Sequence, residues 1–189
     1  MLFMTTQRWM IAKGAAIASA FAILSPLALA NTTCLEDRRV AQPQVAEQLD
    51  TFERTAASTR SELDSYASAA RNNSLSRQTH AFRLNQAREN VNLLGKQLRE
   101  LETRDAQGTA LQQAAIREAR PHLEQLAERV QTAIVTLNEE ETSYRFPDFG
   151  QAVNGMYRQA DSLYTKVDAL TDFEKACQHA VDVTAQDEI

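Results

Sequence analysis

Cysteine, glycine and proline are scarce in this sequence, and their scarcity limits the chemistry that the chain can carry. Of its 189 residues, only 2 are cysteine, 5 are glycine and 4 are proline. The cysteines are too far apart for a C-x-x-C metal or haem motif, and no H-E-x-x-H occurs. Phosphate-binding glycine loops and the G-x-S-x-G motif of hydrolases are also missing. We therefore expect a protein that is not an enzyme, with no catalytic residue, resident metal or cofactor.

Histidine is also rare, with 3 copies in the chain. His80, His122 and His179 lack the glutamate three residues earlier that di-iron bundles use. Met156 together with a histidine could ligate a haem, so a haem or metal carrier is one alternative. A lone methionine among regularly spaced apolar residues is more typical of core packing.

The first thirty residues have the organisation of a secretory signal. Arg8 and Lys13 give a positive start, an uncharged stretch fills 14–24, and Ala-Leu-Ala at 28–30 offers a cleavage site. We predict that residues 1–30 are removed, and that 31–189 form one exported domain, in a bacterial periplasm, without stable membrane insertion. Removal takes away those two basic residues and no acid, so the formal net charge moves from −5 to −7. This negative balance argues against a nucleic-acid partner.

The two cysteines, Cys34 and Cys177, lie near the two ends of the predicted mature chain. An even number of cysteines in an exported protein predicts a disulfide, with two buried free thiols as the alternative. The loop of about 143 residues would give an upper limit of roughly 5 kcal/mol of stabilisation. Thr33 and Asn31 do not fit lipoprotein processing, so we expect no lipid anchor on Cys34.

Apolar residues recur at steps of three and four, as in helices that pack on other helices or form coiled coils. Strict alternation, the pattern of a strand, is absent over any useful length. We call each such row an apolar seam. The four seams are Val45, Leu49, Phe52, Ala56, Thr59, Leu63, Tyr66, Ala70; His80, Leu84, Ala87, Val91, Leu94, Leu98, Leu101; Ile116, Ala119, Leu123, Leu126, Val130, Ala133, Leu137; and Phe149, Val153, Met156, Ala160, Leu163, Val167, Leu170.

The residues between the seams are typical of helix ends and short turns, so neighbouring helices should be antiparallel. Thr109 and Gln112 have the spacing of a capping box. Pro121 should kink or split the third long helix, and a shift of the seam after Leu170 predicts a break at 171–172. The predicted fold is an all-α, up-down-up-down antiparallel four-helix bundle with short extra helices at both ends. The predicted helices are near 34–41, 44–72, 76–106, 109–142, 149–170 and 172–183.

In this fold most aromatic residues of the mature chain meet at the end of the bundle opposite the cysteines. Aromatic side chains together with an arginine are typical of interfaces, although they could instead close the bundle end as a structural plug. We take this group as the candidate binding surface. Its members are Tyr66, His80, Phe82, Tyr144, Arg145, Phe146 and Phe149.

The sequence therefore favours an exported, non-enzymatic bundle that contacts another extracytoplasmic protein, as an adaptor, an inhibitor or a chaperone-like factor. A bundle that binds or senses a small ligand at its aromatic end is the first alternative. Long seams can also pair between chains, so a homo-oligomer remains open.

Overall fold

The computed structural model describes residues 43–71, 75–139, 145 and 147–186. These residues form four α-helices and one 3₁₀ turn, and they contain no strand. The all-α four-helix bundle is therefore confirmed. The helices are α1 Pro43–Ala70, α2 Arg77–Glu102, α3 Ala110–Glu139 and α4 Pro147–Gln186, and the 3₁₀ turn Asp105–Gln107 joins α2 to α3.

The apolar seams form the core. Every seam residue except Leu170 is buried, and Leu170 is partly buried against the others. Burial of one stripe on each helix removes apolar area from water, which is the main favourable contribution to folding. Six of the seam positions are alanine, and all six are at most 5 % exposed, so the helices pack closely at those levels.

In each pair of neighbouring helices, later residues of one helix bond to earlier residues of the other. This is the order that antiparallel helices give. Between α1 and α2, Asn90 donates to Glu62 and Gln97 donates to Thr55. Helix α1 contacts α2 and α4, while α3 contacts α2 and α4. The same reversed order is found in the other three helix pairs. The contacts are Asp50–Lys175, Glu53–Thr171 and Arg60–Asp161 between α1 and α4; Arg77–Leu137 and Glu102–Arg120 between α2 and α3; and Thr109–Glu174 and His122–Gln159 between the α3 segment and α4.

The predicted break at 171–172 is wrong, because α4 is one helix of 40 residues. The seam continues from Val167 through Thr171 and Glu174 to Cys177, all of them buried. Two of these positions are polar, so a pattern read from apolar residues alone shows a shift that is not there. The Thr171 hydroxyl does not start a new helix. It bonds to the Asp168 carbonyl within α4 and to Glu53 of α1.

Pro121 does not split α3, which is helical from Ala110 to Glu139. The proline lies on the exposed face of the helix. Water can therefore solvate the Arg117 carbonyl, which a proline at position 121 leaves without its helical hydrogen bond.

Helix α2 ends earlier than predicted, at Glu102 rather than near 106, and a 3₁₀ turn follows. The predicted signal segment 1–30, the predicted short helix 34–41 and Cys34 lie outside the described residues. None of the described helices is long and apolar enough to cross a membrane.

Candidate functional site

Three of the seven predicted aromatic-end residues meet inside the bundle. Tyr66 comes from the last part of α1, His80 from the first turn of α2 and Phe149 from the first turn of α4, and each is 2 % exposed. The His80 ring packs edge-on against Phe149 at 5.0 Å between centroids, and it lies 5.7 Å from the Tyr66 ring. These three residues are the aromatic cluster.

The caps of α2 and α3 explain why the sequence places His80 there. Ser76 caps α2, accepting a hydrogen bond from the Thr79 backbone N–H, and its carbonyl accepts from the His80 N–H. Arg77, one residue into α2, donates to the Leu137 carbonyl in the last turn of α3. A cation at a helix C-terminus satisfies carbonyls that have no partner within the helix. These contacts tie the two helix ends together around the aromatic cluster.

Burial favours the neutral form of both polar groups in the aromatic cluster. The Tyr66 hydroxyl and His80 Nδ1 are 2.9 Å apart and share a hydrogen bond. Burial lowers the pKa of His80, because it disfavours the imidazolium form. Burial likewise raises the pKa of Tyr66, and the positive charge of Arg83 offsets only part of that rise. A neutral, hydrogen-bonded pair against a phenyl ring fits closure of the bundle end better than a solvent-facing site.

Space beside the aromatic cluster is small. The cavity lined by Tyr66, Leu63, Ala87 and their neighbours has a volume of about 10 Å³. A cavity of that size holds about one water molecule. This cavity, between α1 and α2, is too small for an organic ligand.

Phe82 differs from these residues because it points outward. It is 61 % exposed, the most exposed large apolar side chain among the described residues. Leu93, also on α2, is 47 % exposed. Eleven residues correspond to about three helical turns, so the two side chains lie within about 20° of each other around the helix. We call this side of α2, between Phe82 and Leu93, the outer face of α2.

Of the remaining members of the predicted site, one lies at the surface and two lie outside the described residues. Arg145 is exposed. Tyr144 and Phe146 lie outside the described residues. The seven residues proposed from sequence are thus not one surface: three of them form the aromatic cluster, whereas Phe82 and Arg145 face solvent.

A buried polar cluster lies at the other end of the bundle, and only part of it could be predicted from the sequence. Thr109 and Gln112 form the predicted capping box, each accepting a hydrogen bond from the other's backbone N–H. The Thr109 hydroxyl also donates to the Glu174 carboxylate of α4, and Gln178 donates to the same carboxylate oxygen. The capping box follows from local spacing, whereas its link to α4 depends on which helices become neighbours.

The described residues contain no group of three or more histidine, cysteine or acidic side chains that could hold a metal ion. Met156 is completely buried in the core. It therefore has the surroundings of a packing residue in a close-packed interior.

Comparison with known proteins identified no relative of this chain. No family model matches this chain, and neither a curated protein nor a solved structure is significantly similar to it. A four-helix bundle supports many unrelated functions, so its function has to be inferred from surface and site residues.

Proposed function

We propose that this protein is an exported, non-enzymatic helical bundle that acts by contact with another extracytoplasmic protein. The outer face of α2, which includes Phe82, is the contacting surface. The bundle would serve as a rigid adaptor, inhibitor or chaperone-like factor.

The proposal depends above all on the exposure of Phe82. A phenyl ring that is 61 % exposed keeps most of its apolar area in water, at roughly 25 cal/mol per Å². A partner that covered this area would recover that free energy, and aromatic residues are enriched in the buried centres of interfaces. Leu93 lies on the same face about 16 Å further along α2, and the exposed Glu89 and Lys96 add one charge of each sign to that face.

Export is supported by the signal-like segment and by the environment of Cys177. This residue is 7 % exposed, and no described cysteine is a free thiol. Helix α1 begins at Pro43, nine residues after Cys34, and Arg104 donates to Gln44 at the same end of the bundle as Cys177. Nine extended residues span about 30 Å, so the chain before α1 is long enough for a Cys34–Cys177 disulfide.

The test is site-specific photo-crosslinking in cells of the native host. Phe82 is replaced by p-benzoyl-phenylalanine, and the same replacement at Phe173 is the matched control. Phe173 is also an exposed phenylalanine, 36 % accessible, but it lies on α4 near the other end of the bundle. We expect one discrete adduct with an extracytoplasmic protein from position 82 and none from position 173.

Equal crosslinking from both positions, or none from position 82, would contradict the proposal. An adduct of twice the monomer mass that contains only this chain would instead identify a homo-oligomer.

A small-ligand function at the aromatic cluster has less support, because the adjoining cavity is about 10 Å³. A haem carrier would need Met156 to leave a position that is completely buried in the core. An absorption spectrum of the protein isolated from its native host tests that alternative directly.

A further inference from the structure

A larger groove lies on a different side of the bundle, between α3 and α4. Its volume is about 410 Å³, within the approximate range of 300–1,000 Å³ found for small-molecule sites. It is lined by Gln125, Glu128, Arg129 and Thr132 of α3 and by Ala152 of α4. Four of the five lining side chains are polar, so the groove suits a polar ligand.

The groove exists because α4 carries small residues opposite long ones on α3. Ala152 is followed by Gly155, close to the Arg129 side chain. A Cβ atom built on Gly155 would lie only 2.9 Å from Nη1 of Arg129. The guanidinium group thus rests against the helix surface of α4, in a space that a larger residue would occupy.

The polar side chains of the groove are not engaged elsewhere. None of Gln125, Glu128, Arg129 and Thr132 makes a side-chain hydrogen bond or an ion pair with the described residues. Some cations on the bundle surface are paired, as in Arg60 with Asp161, Arg120 with Glu102 and Lys175 with Asp50, whereas Arg129 has no acidic partner among the described residues. Arg129 and Glu128 therefore offer one positive and one negative group that a ligand can reach.

The order of these residues sets the geometry. Positions 125, 128, 129 and 132 fall on one side of α3, and consecutive residues are about 100° apart around the helix. Glu128 and Arg129 therefore point about 100° apart from the α3 side of the groove. No ion pair joins them. A molecule lying between them meets an acid on one side and a guanidinium on the other.

We propose that this groove binds a free α-amino acid. The ligand's carboxylate pairs with the Arg129 guanidinium, which suits planar two-point contact with a carboxylate. Its ammonium group pairs with Glu128, while Gln125 and Thr132 supply hydrogen bonds. This site shares no residue with the outer face of α2, so it stands or falls independently of the proposed protein contact.

The test is a nuclear magnetic resonance titration of the full chain with three matched probes. L-Alanine carries both charges, N-acetyl-L-alanine lacks the ammonium group and L-alaninamide lacks the carboxylate. We expect saturable shifts of the backbone amides at 125–132 and 152–155 with L-alanine. Each blocked probe should bind at least about tenfold more weakly, because it loses one charge-assisted contact.

Two variants assign the charges, and a third is the control. Arg129→Gln and Glu128→Gln should each weaken L-alanine binding about tenfold or more. Arg99→Gln should leave it unchanged, although Arg99 also lies beside a glycine, at 3.5 Å from a Cβ built on Gly95. Arg99 is on α2 and outside the groove.

Absence of saturable shifts with L-alanine overturns the proposal. So does equal binding of all three probes, or an unchanged affinity of Arg129→Gln. The spectra of the variants also report folding, so a loss of binding in an intact bundle is distinguished from unfolding.

Discussion

The Tyr66 hydroxyl lies 2.9 Å from Nδ1 of His80, and this bond joins the end of α1 to the start of α2. Both rings are 2 % exposed, and Phe149 of α4 closes the third side. Because water is excluded from this pair, its protonation is linked to the folding of three helices at once.

We predict that the protein loses stability in mildly acidic solution through His80. Burial lowers its folded-state pKa below the ordinary value of 6.5, so the unfolded chain takes up the proton first as pH falls. The free energy of unfolding is not reduced by His80 above a pH of about 6.5. It falls as the pH drops from there towards the lowered pKa of His80 in the folded protein. Urea unfolding at several pH values measures it.

The control for this prediction is a second histidine. His80→Gln should remove this component of the pH dependence, whereas His179→Gln, at an exposed position of α4, should keep it. If the wild type and His80→Gln show the same loss of unfolding free energy between neutral and mildly acidic pH, His80 is not responsible.

Tyr66→Phe should destabilise the protein by about 1–2 kcal/mol, because it removes a buried hydrogen bond while keeping the ring. Tyr164→Phe is the matched control. The Tyr164 hydroxyl bonds to Asp168 one turn away on the same helix, nearer to solvent, and its loss should change stability by less than about 0.5 kcal/mol. Denaturant unfolding compares the two, and equal losses would count against a special role for the aromatic cluster.

Thr109→Val should cost about 2 kcal/mol or more. The hydroxyl caps α3 and also donates to the buried Glu174, and valine keeps the shape but neither bond. Thr109→Ser should retain most of the stability. Thr51→Val loses a bond to the Glu47 carbonyl and one from Arg54, both exposed and within α1, and should change the unfolding free energy by less than about 0.5 kcal/mol.

The helices and core could be predicted from the sequence because apolar spacing reports directly which side of a helix is buried. All seven residues of the α2 seam, from His80 to Leu101, are buried as expected. The same reasoning failed near Thr171, where buried polar residues continue the seam. The candidate surface was chosen by level along the bundle, so it grouped Phe82, which lies off the seam of α2, with the buried Tyr66.

The groove at Arg129 was not predictable from spacing. Gly155 beside the fourth seam was visible, but nothing local shows which side chain of another helix will lie against it. That contact depends on the relative rotation of α3 and α4, which side-chain packing across the whole interface sets.

Intact mass spectrometry tests the prediction for the two ends of the chain. The mass of protein from the native host should correspond to a chain that begins at Asn31. Reduction should increase that mass by two hydrogens, as a Cys34–Cys177 disulfide requires. Cys177→Ser should lower the melting temperature of oxidised protein but not of reduced protein. A free-thiol mass before reduction would contradict the disulfide.

Two glycine substitutions separate helix propensity from the groove. Gly150→Ala adds a Cβ that meets nothing within 4 Å, so it should stabilise α4 by up to about 1 kcal/mol. Gly155→Ala should stabilise less, because the Arg129 guanidinium has to move. It should also weaken L-alanine binding, while Gly150→Ala should not; thermal unfolding and the titration measure both effects.

The unbroken course of α4 makes the protein intolerant of insertions along that helix. Forty residues in one helix extend about 60 Å, and Phe149 and Cys177 lie about 42 Å apart along it. One extra residue near Leu163 would rotate everything beyond it by about 100°. In the part of α4 that follows the insertion, Glu174 would then point away from Thr109, and Cys177 would point towards solvent. Length changes should therefore be confined to the connections between helices.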